Sequence, residues 1–133
     1  MAEVYLASAV GPEGFAKDVV IKIVRSFLSS DQQFVDMFIA EARLSSRLNH
    51  ANVVHVTDLG RHEGQLFIAM EYVEGFDLND LLRRCSRSKT PLPIEFALLI
   101  VTEALRGLDY AHRRTDDEGC PIGLVHRDVS PSN

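Results

Sequence analysis

Several features that mark particular protein classes are missing from this 133-residue chain. No apolar run approaches the roughly 20 residues that a membrane-spanning helix needs, and the N-terminus lacks the basic-then-apolar pattern of a secretory signal. Only two cysteines occur, Cys85 and Cys120, and their spacing fits no metal site. We therefore expect two free thiols in a reducing environment, which is typical of a cytoplasmic protein.

Basic charge is also scarce, because 19 Asp and Glu residues outnumber 14 Lys and Arg residues and give a formal net charge of −5. This balance argues against nucleic acid or an anionic membrane as the main partner. Internal repeats and low-complexity tracts are absent as well. The hydrophobic share of 46% and the charged share of 25% are ordinary for one globular domain with a modest core.

Hydrophobic periodicity predicts an α+β fold with a small antiparallel sheet. In the N-terminal half, two hairpins flank a helix that Ser30 and Gln33 would cap. In the C-terminal half, two helices precede a polar loop. The predicted strands cover residues 4–7, 17–24, 53–59 and 65–73, the helices cover 30–48, 78–84 and 93–113, and the loop covers 115–123.

Two charged residues stand out because apolar positions surround them. Lys22 lies mid-strand among Val and Ile, and Glu41 interrupts the apolar stripe predicted for the first helix. A contact between the two would satisfy both charges and orient the ammonium group. The alternative is that Lys22 lies on an edge strand and extends its ammonium group into water, and this segment alone does not separate the two interpretations.

The stretch His126-Arg127-Asp128-Val129-Ser130-Pro131-Ser132-Asn133 suits phosphoryl transfer. An Asp at this place can accept a proton from an attacking hydroxyl, and the Asn can supply an oxygen ligand to Mg²⁺. A lone His-Arg-Asp arises easily by chance, with His126 as an ordinary core histidine. The full stretch is much rarer, and this favours the chemical interpretation.

Taken together, these features resemble protein kinases, most closely the eukaryotic-like serine/threonine kinases of bacteria. Val19-Val20-Ile21-Lys22 resembles the V-A-I-K strand of the family, and Glu41 matches the glutamate of its helix C. The stretch around Met70-Glu71-Tyr72-Val73 resembles the hinge. The C-terminal stretch resembles the H-R-D-x-x-x-x-N catalytic loop. The resemblance covers essentially the whole chain. It implies a small lobe over residues 1–73 and the first helices of a large lobe over 74–133.

The resemblance implies ATP and Mg²⁺ as cofactors and a protein Ser or Thr hydroxyl as the phosphate acceptor. Lys22 would hold the α- and β-phosphates and Glu41 would position Lys22. Asp128 would orient or deprotonate the hydroxyl, and Asn133 would bind Mg²⁺. Arg127 hints at regulation by phosphorylation, because this arginine often pairs with an activation-loop phosphate in the family.

The resemblance also implies an adenine pocket in the first 77 residues. Val4, Val20 and Met70 would line it, with Met70 as the gatekeeper. Backbone groups of Glu71 and Val73 would read the adenine edge. The acidic side chain near the ribose would be supplied by Asp77.

The chain departs from the family pattern at several places. Ala2 takes the third glycine position of G-x-G-x-x-G-x-V, and the first two glycines would lie before Met1. Val20 replaces a small alanine, and Ser130 replaces the lysine that usually follows the catalytic Asp by two. The 115–123 loop is longer than usual. The D-F-G aspartate and everything after it would lie beyond Asn133, so we expect a kinase fragment that binds ATP weakly and transfers no phosphate at a useful rate.

Two alternatives to a broken enzyme stay open. A noncatalytic, pseudokinase-like module that binds nucleotide or protein would explain Ser130, although retention of Lys22, Asp128 and Asn133 argues against it. An incomplete gene model of an active enzyme would explain the missing parts. Without the rest of the large lobe, the helix over 93–113 would bury only part of its inner stripe and leave an apolar patch exposed. That predicted stripe comprises Phe96, Leu99, Ile100, Ala104, Leu108 and Ala111.

Overall fold

A computed structural model of the chain describes residues 2–25 and 31–132. The chain forms two compact units, Met1–Val73 and Glu74–Asn133. The first unit contains a sheet and a helix, and the second is helical. The predicted α+β class is therefore confirmed.

The sheet of the first unit is antiparallel throughout. Its strands are β1 (Ala2–Val10), β2 (Ala16–Val24), β3 (Val56–His62) and β4 (Gln65–Glu71), paired in the order β1-β2-β4-β3. Both predicted hairpins are present, and β1 extends beyond the predicted residues 4–7 at both ends.

Local sequence explains the two hairpin turns. The turn between β1 and β2 contains the short 3-10 helix Pro12–Gly14, in which proline pre-sets the backbone. The turn between β3 and β4 contains Glu63 and Gly64, whose φ angles are 48° and 83°. A two-residue turn with positive φ at both positions matches the twist of the strands, and glycine adopts such a φ without steric cost.

Helix α1 (Gln32–Ser45) is shorter than the predicted 30–48 and begins differently. The Asp31 carboxylate caps it by accepting hydrogen bonds from the backbone N–H groups of Gln33 and Phe34, at 3.0 and 3.2 Å. Ser30, to which the sequence assigned this role, lies outside the described residues. The cap at Asp31 was missed because both residues are good N-caps and only the helix start distinguishes them.

The core forms where α1 packs on the sheet. The buried positions of the helix are Val35, Phe38 and Ala42, at helical spacing, and they meet Val24 and Ile68 of the sheet. The period of 3.6 residues predicts an apolar stripe of Phe34, Met37, Phe38, Leu44 and Leu48. Phe38 and Leu48 are buried as predicted, but Met37 and Leu44 are 56% and 37% exposed. Apolar residues occupy more than one face of this helix, so the periodicity alone did not fix which face is buried.

The second unit contains α2 (Leu78–Ser88) and α3 (Ile94–His112). Helix α2 runs about one turn beyond the predicted residue 84 and ends at Lys89, whose φ of 54° is left-handed. Helix α3 matches its prediction to within one residue at each end. Among the described residues, no helix combines the length and hydropathy that crossing a bilayer would require.

Helix α3 leaves much of its apolar surface open, as the sequence predicted. Ala111 is 5% exposed, whereas Phe96 and Leu99 of the predicted stripe are 57% and 54% exposed. Other large apolar side chains add to this surface. They are Ile94, Leu98, Val101 and Leu105.

The polar loop after α3 has internal order. The Asp116 carboxylate accepts hydrogen bonds from the N–H groups of Glu118 and Cys120, and a single β-bridge joins Thr115 to Pro121. This arrangement explains why the loop keeps a defined shape without a core of its own.

Candidate active site

Strand β2 places Lys22 in the middle of the sheet. Cross-strand pairing sets Lys22 opposite Val4 of β1 and opposite Ile68 of β4. A strand with partners on both sides is not an edge strand, so the edge-lysine alternative is wrong. Because paired residues share one face, Lys22 lies on the face that carries Val24 and Ile68, toward α1.

Helix α1 supplies the partner of Lys22. The Lys22 Nζ atom donates to Glu41 Oε1 at 2.6 Å, and it lies 5.9 Å from the centre of the Phe38 ring. The predicted contact between the two charges is confirmed. The side chains are 27% and 55% exposed, so the pair lies at the margin of the core and not inside it.

An apolar surface continues from Lys22 along the same face of the sheet. Val20 pairs with Met70 of β4 and with Leu6 of β1, and Val4 lies two residues from Leu6 on the same side. Val4 and Leu6 are 64% and 62% exposed, so this surface is open to a flat apolar ligand. Leu6 was missed from the sequence, although the period of two from Val4 would have identified it.

The end of β4 and the residues after it carry the predicted adenine-edge residues. The Glu71 N–H donates to the His55 carbonyl at 2.9 Å, and the Glu71 carboxylate accepts the His55 N–H at 2.8 Å. Val73 follows two residues later and is 64% exposed. The sequence assigned only backbone groups to Glu71, and the contact of its side chain was missed because His55 is distant in the chain.

In the second unit, Asp77 has a structural contact. Its carboxylate caps α2 by accepting the Asp80 N–H at 2.7 Å. A capping carboxylate is satisfied without any ligand, so this contact neither requires nor prevents the predicted position near a ribose.

The stretch from His126 to Ser132 has no regular secondary structure. The His126 Nδ1 atom accepts the Asp128 N–H at 3.3 Å, and Arg127 between them has a left-handed φ of 63°. The Pro131 carbonyl accepts the Asn79 N–H from the first turn of α2 at 2.9 Å. The N–H groups in the first turn of a helix have no acceptor within the helix. Here the Asn79 N–H is one of them, and it holds the stretch that carries Asp128.

Near the end of this stretch lie one departure from the family pattern, Ser130, and one predicted site residue, Asn133. Ser130, in place of the family's lysine, has its hydroxyl 3.2 Å from that of Ser132. Asn133, the predicted Mg²⁺ ligand, lies outside the described residues. Within residues 2–25 and 31–132, no group of three or more His, Cys, Asp and Glu side chains is arranged to hold a metal ion.

The opposite face of β1 carries an unrelated polar cluster. The Tyr5 hydroxyl donates to the Glu3 carboxylate at 2.6 Å, and this hydrogen bond raises the pKa of Tyr5 above its ordinary value. Glu3 also pairs with Arg25 at 3.2 Å. Tyr5 pairs with Ile21, so it lies on the other side of the sheet from Lys22.

Comparison with known proteins identifies the family in which these features occur together. The model of the family described as "Protein kinase domain" matches residues 3–133. The tyrosine-protein kinase MasK of Myxococcus xanthus is 43% identical over the whole chain, and the serine/threonine-protein kinase PknI of Mycobacterium tuberculosis is 37% identical over the whole chain. The chain spans 21% and 20% of the length of these two relatives.

Solved structures agree with the sequence relatives. The kinase domain of M. tuberculosis PknI superposes with a TM-score of 0.73 at 38% identity, and the match covers 100% of this chain and 48% of that domain. The sheet, α1 and the first helices of the second unit thus correspond to the small lobe and the first large-lobe helices of a kinase. The chain belongs to the protein kinase domain family.

Proposed function

We propose that the protein transfers the γ-phosphate of ATP to Ser or Thr hydroxyls of a protein substrate. The observation that carries the proposal is the 2.6 Å contact between Lys22 and Glu41. A cation fixed on a central strand by a helix carboxylate is the arrangement that kinases use to hold phosphates. The Asp128 stretch supports the same activity from the second unit.

The residues of this chain would divide the work of phosphoryl transfer. The Lys22 ammonium neutralises charge on the α- and β-phosphates, and Glu41 keeps that ammonium in place. The Asp128 carboxylate orients the acceptor hydroxyl and takes its proton. Mg²⁺, when bound, neutralises phosphate charge, and Asn133 is the residue of this chain proposed to hold it.

Nucleotide recognition would use the open apolar surface of the sheet. Val4, Val20 and Met70 present aliphatic groups on which a purine ring can pack. The backbone carbonyl of Glu71 and the backbone N–H of Val73 would bond the adenine edge. The Asp77 carboxylate is the proposed ribose contact.

The choice of acceptor hydroxyl is the finer part of the proposal. PknI is named a serine/threonine kinase, whereas MasK is named a tyrosine kinase. Pro131 is typical of the serine/threonine pattern of the catalytic loop and favours that acceptor. We propose the division of residues 1–73 and 74–133 into small lobe and partial large lobe on the same family grounds.

Phosphoamino-acid analysis tests the acceptor. The full-length gene product, incubated with Mg²⁺ and γ-labelled ATP and a generic protein substrate, is expected to yield labelled phosphoserine or phosphothreonine. Chelation of Mg²⁺ should abolish the label. Label on phosphotyrosine alone would contradict the proposed acceptor while leaving the kinase assignment intact.

A noncatalytic nucleotide- or protein-binding module is the second candidate, and Ser130 favours it. The usual lysine at this position places a cation near the transferring phosphate, and a serine supplies none. Tight ATP binding by the full-length gene product without any transfer would support this candidate. A polypeptide limited to these 133 residues spans about half of a solved kinase domain, and we expect it to bind ATP weakly and to transfer no phosphate at a useful rate.

A further inference from the structure

The side chain of Glu71 takes the place of a backbone carbonyl as the acceptor of one hydrogen bond between the ends of β3 and β4. Strands β3 and β4 pair as far as Val56 and Met70, with a shift of register between Val56 and Asp58. The next pair outward would be His55 with Glu71. In a hydrogen-bonded antiparallel pair, each residue donates its N–H to the carbonyl of the other. The Glu71 N–H does donate to the His55 carbonyl, at 2.9 Å. The His55 N–H, however, donates to the Glu71 carboxylate at 2.8 Å.

Because of this replacement, the His55 N–H does not use the Glu71 backbone carbonyl as its acceptor. The Glu71 carboxylate gives the His55 N–H an acceptor within the protein. The Glu71 carbonyl is therefore not needed as the acceptor of this bond. From this geometry we propose that Glu71 is a positioning residue for adenine recognition, whose carboxylate occupies the His55 N–H and keeps the Glu71 carbonyl available to the 6-amino group of a nucleotide base.

The surroundings of His55 make this a defined anchor. His55 adjoins Val56, which is 8% exposed in the core, and its ring Nδ1 lies 3.4 Å from the carbonyl of Leu48. Leu48 is itself 6% exposed. The Glu71 carboxylate thus ties the end of β4 to a segment that the core already holds.

The Glu71 side chain acts without touching the nucleotide in this scheme. Side chains alternate along a strand, so Glu71 lies on the face opposite Met70. It pairs with Val19, which is 8% exposed and also belongs to that opposite face. A change of the Glu71 side chain would therefore reach the base only through the backbone carbonyl. The inference rests on the proposed function, because it assumes that an adenine nucleotide binds at this end of the sheet.

The test compares two nucleotides that differ at one group. ATP carries the 6-amino group, and purine riboside triphosphate lacks it. The full-length gene product is expected to bind ATP roughly 3- to 10-fold more tightly, the range for one net hydrogen bond. In Glu71→Met, which keeps the chain length but has no strong acceptor, the His55 N–H competes for the carbonyl, and the ratio should fall toward one.

Conservative and control variants separate positioning from folding. Glu71→Gln retains a side-chain carbonyl and should keep most of the ratio. Gln65→Met alters an exposed residue at the other end of β4 and should keep all of it. If Glu71→Met does not fold, Glu71→Thr, which has a shorter reach to His55, takes its place in the same comparison. An unchanged ratio in folded Glu71→Met or Glu71→Thr would overturn the inference.

Failure of the proposed function would look different. If the wild-type protein bound neither nucleotide, the kinase proposal would be wrong, and the inference would be refuted with it because no base would meet the Glu71 carbonyl. If the wild type bound both nucleotides equally, ATP binding would stand, and the role of the Glu71 carbonyl, with this inference, would be refuted.

Discussion

At the scale of single residues, the pair of Lys22 and Glu41 is a device for orientation more than for stability. The two side chains are 27% and 55% exposed, so water screens their attraction. Exposed pairs of this kind contribute little to folding, whereas fully buried pairs are costly to break. The sequence led us to expect a charge stranded on an apolar stripe, but Glu41 lies at the edge of the buried face.

We predict that Glu41→Gln changes the free energy of unfolding by only about 0.2–1 kcal/mol. Phosphate transfer should fall far more, on the order of 10²-fold, because the Lys22 ammonium loses its fixed position. Urea unfolding and a transfer assay on the same protein check both numbers. Asp109→Asn, which breaks the exposed Arg113–Asp109 pair, is the matched control and should leave transfer unchanged. A loss of about 3–5 kcal/mol for Glu41→Gln would show a buried pair instead.

At the scale of elements, sequence patterns predicted which helices and strands exist better than where they begin or which face they bury. The hairpins followed from Pro12, Gly14 and Gly64, since these residues favour tight turns regardless of tertiary context. The cap and buried face of α1 did not follow, because Ser30 and Asp31 are both good caps and apolar residues occur around most of the helix. Packing of α1 on Val24 and Ile68 decides which face of the helix is buried. This tertiary contact cannot be read from the sequence alone.

The cap of α1 gives a stability prediction. Asp31→Ala should lower the free energy of unfolding by about 1 kcal/mol, because the N–H groups of Gln33 and Phe34 lose their acceptor. Asp31→Ser should recover most of that loss. Asp117→Ala, which removes an exposed loop carboxylate, is the control, and an equal loss there would argue against a capping effect. Equilibrium urea unfolding is the measurement.

The cap of α2 allows the two roles of Asp77 to be separated. Asp77→Ser keeps an acceptor for the Asp80 N–H but is too short for a ribose contact. We therefore expect Asp77→Ser to raise the KM for ATP while leaving stability near that of the wild type, and Asp77→Ala to impair both. A KM unchanged in both variants would refute the proposed ribose contact and leave Asp77 as a cap alone.

At the scale of the whole molecule, the sequence pointed to the family and to most candidate residues, but not to the contacts that hold them. The contacts of Glu71 with His55 and of Asn79 with Pro131 join residues distant in the chain. Each contact uses a backbone group, which every residue has, so the residue types in the sequence do not predict it. Lys22 and Glu41 could be paired in advance only because each is a charge among apolar residues.

The open face of α3 predicts the behaviour of the isolated 133-residue polypeptide. Its exposed apolar side chains should bind a hydrophobic dye and promote self-association. Leu98→Glu together with Val101→Glu should reduce both signals, because each position is more than half exposed. Thr102→Glu adds a charge at an exposed position outside the apolar set and is the control. Equal dye binding by all three proteins would show that this face is not the source.

The central claim is that this chain carries the catalytic residues of a protein kinase, and Asp128→Asn tests it most directly. The full-length gene product should transfer the γ-phosphate of ATP to protein in the presence of Mg²⁺. Asp128→Asn should abolish that transfer while the protein stays folded and still binds ATP, since only the carboxylate that takes the hydroxyl proton is lost. Asp117→Asn, in the loop after α3, should transfer as the wild type does. Transfer by Asp128→Asn at the wild-type rate would contradict the account.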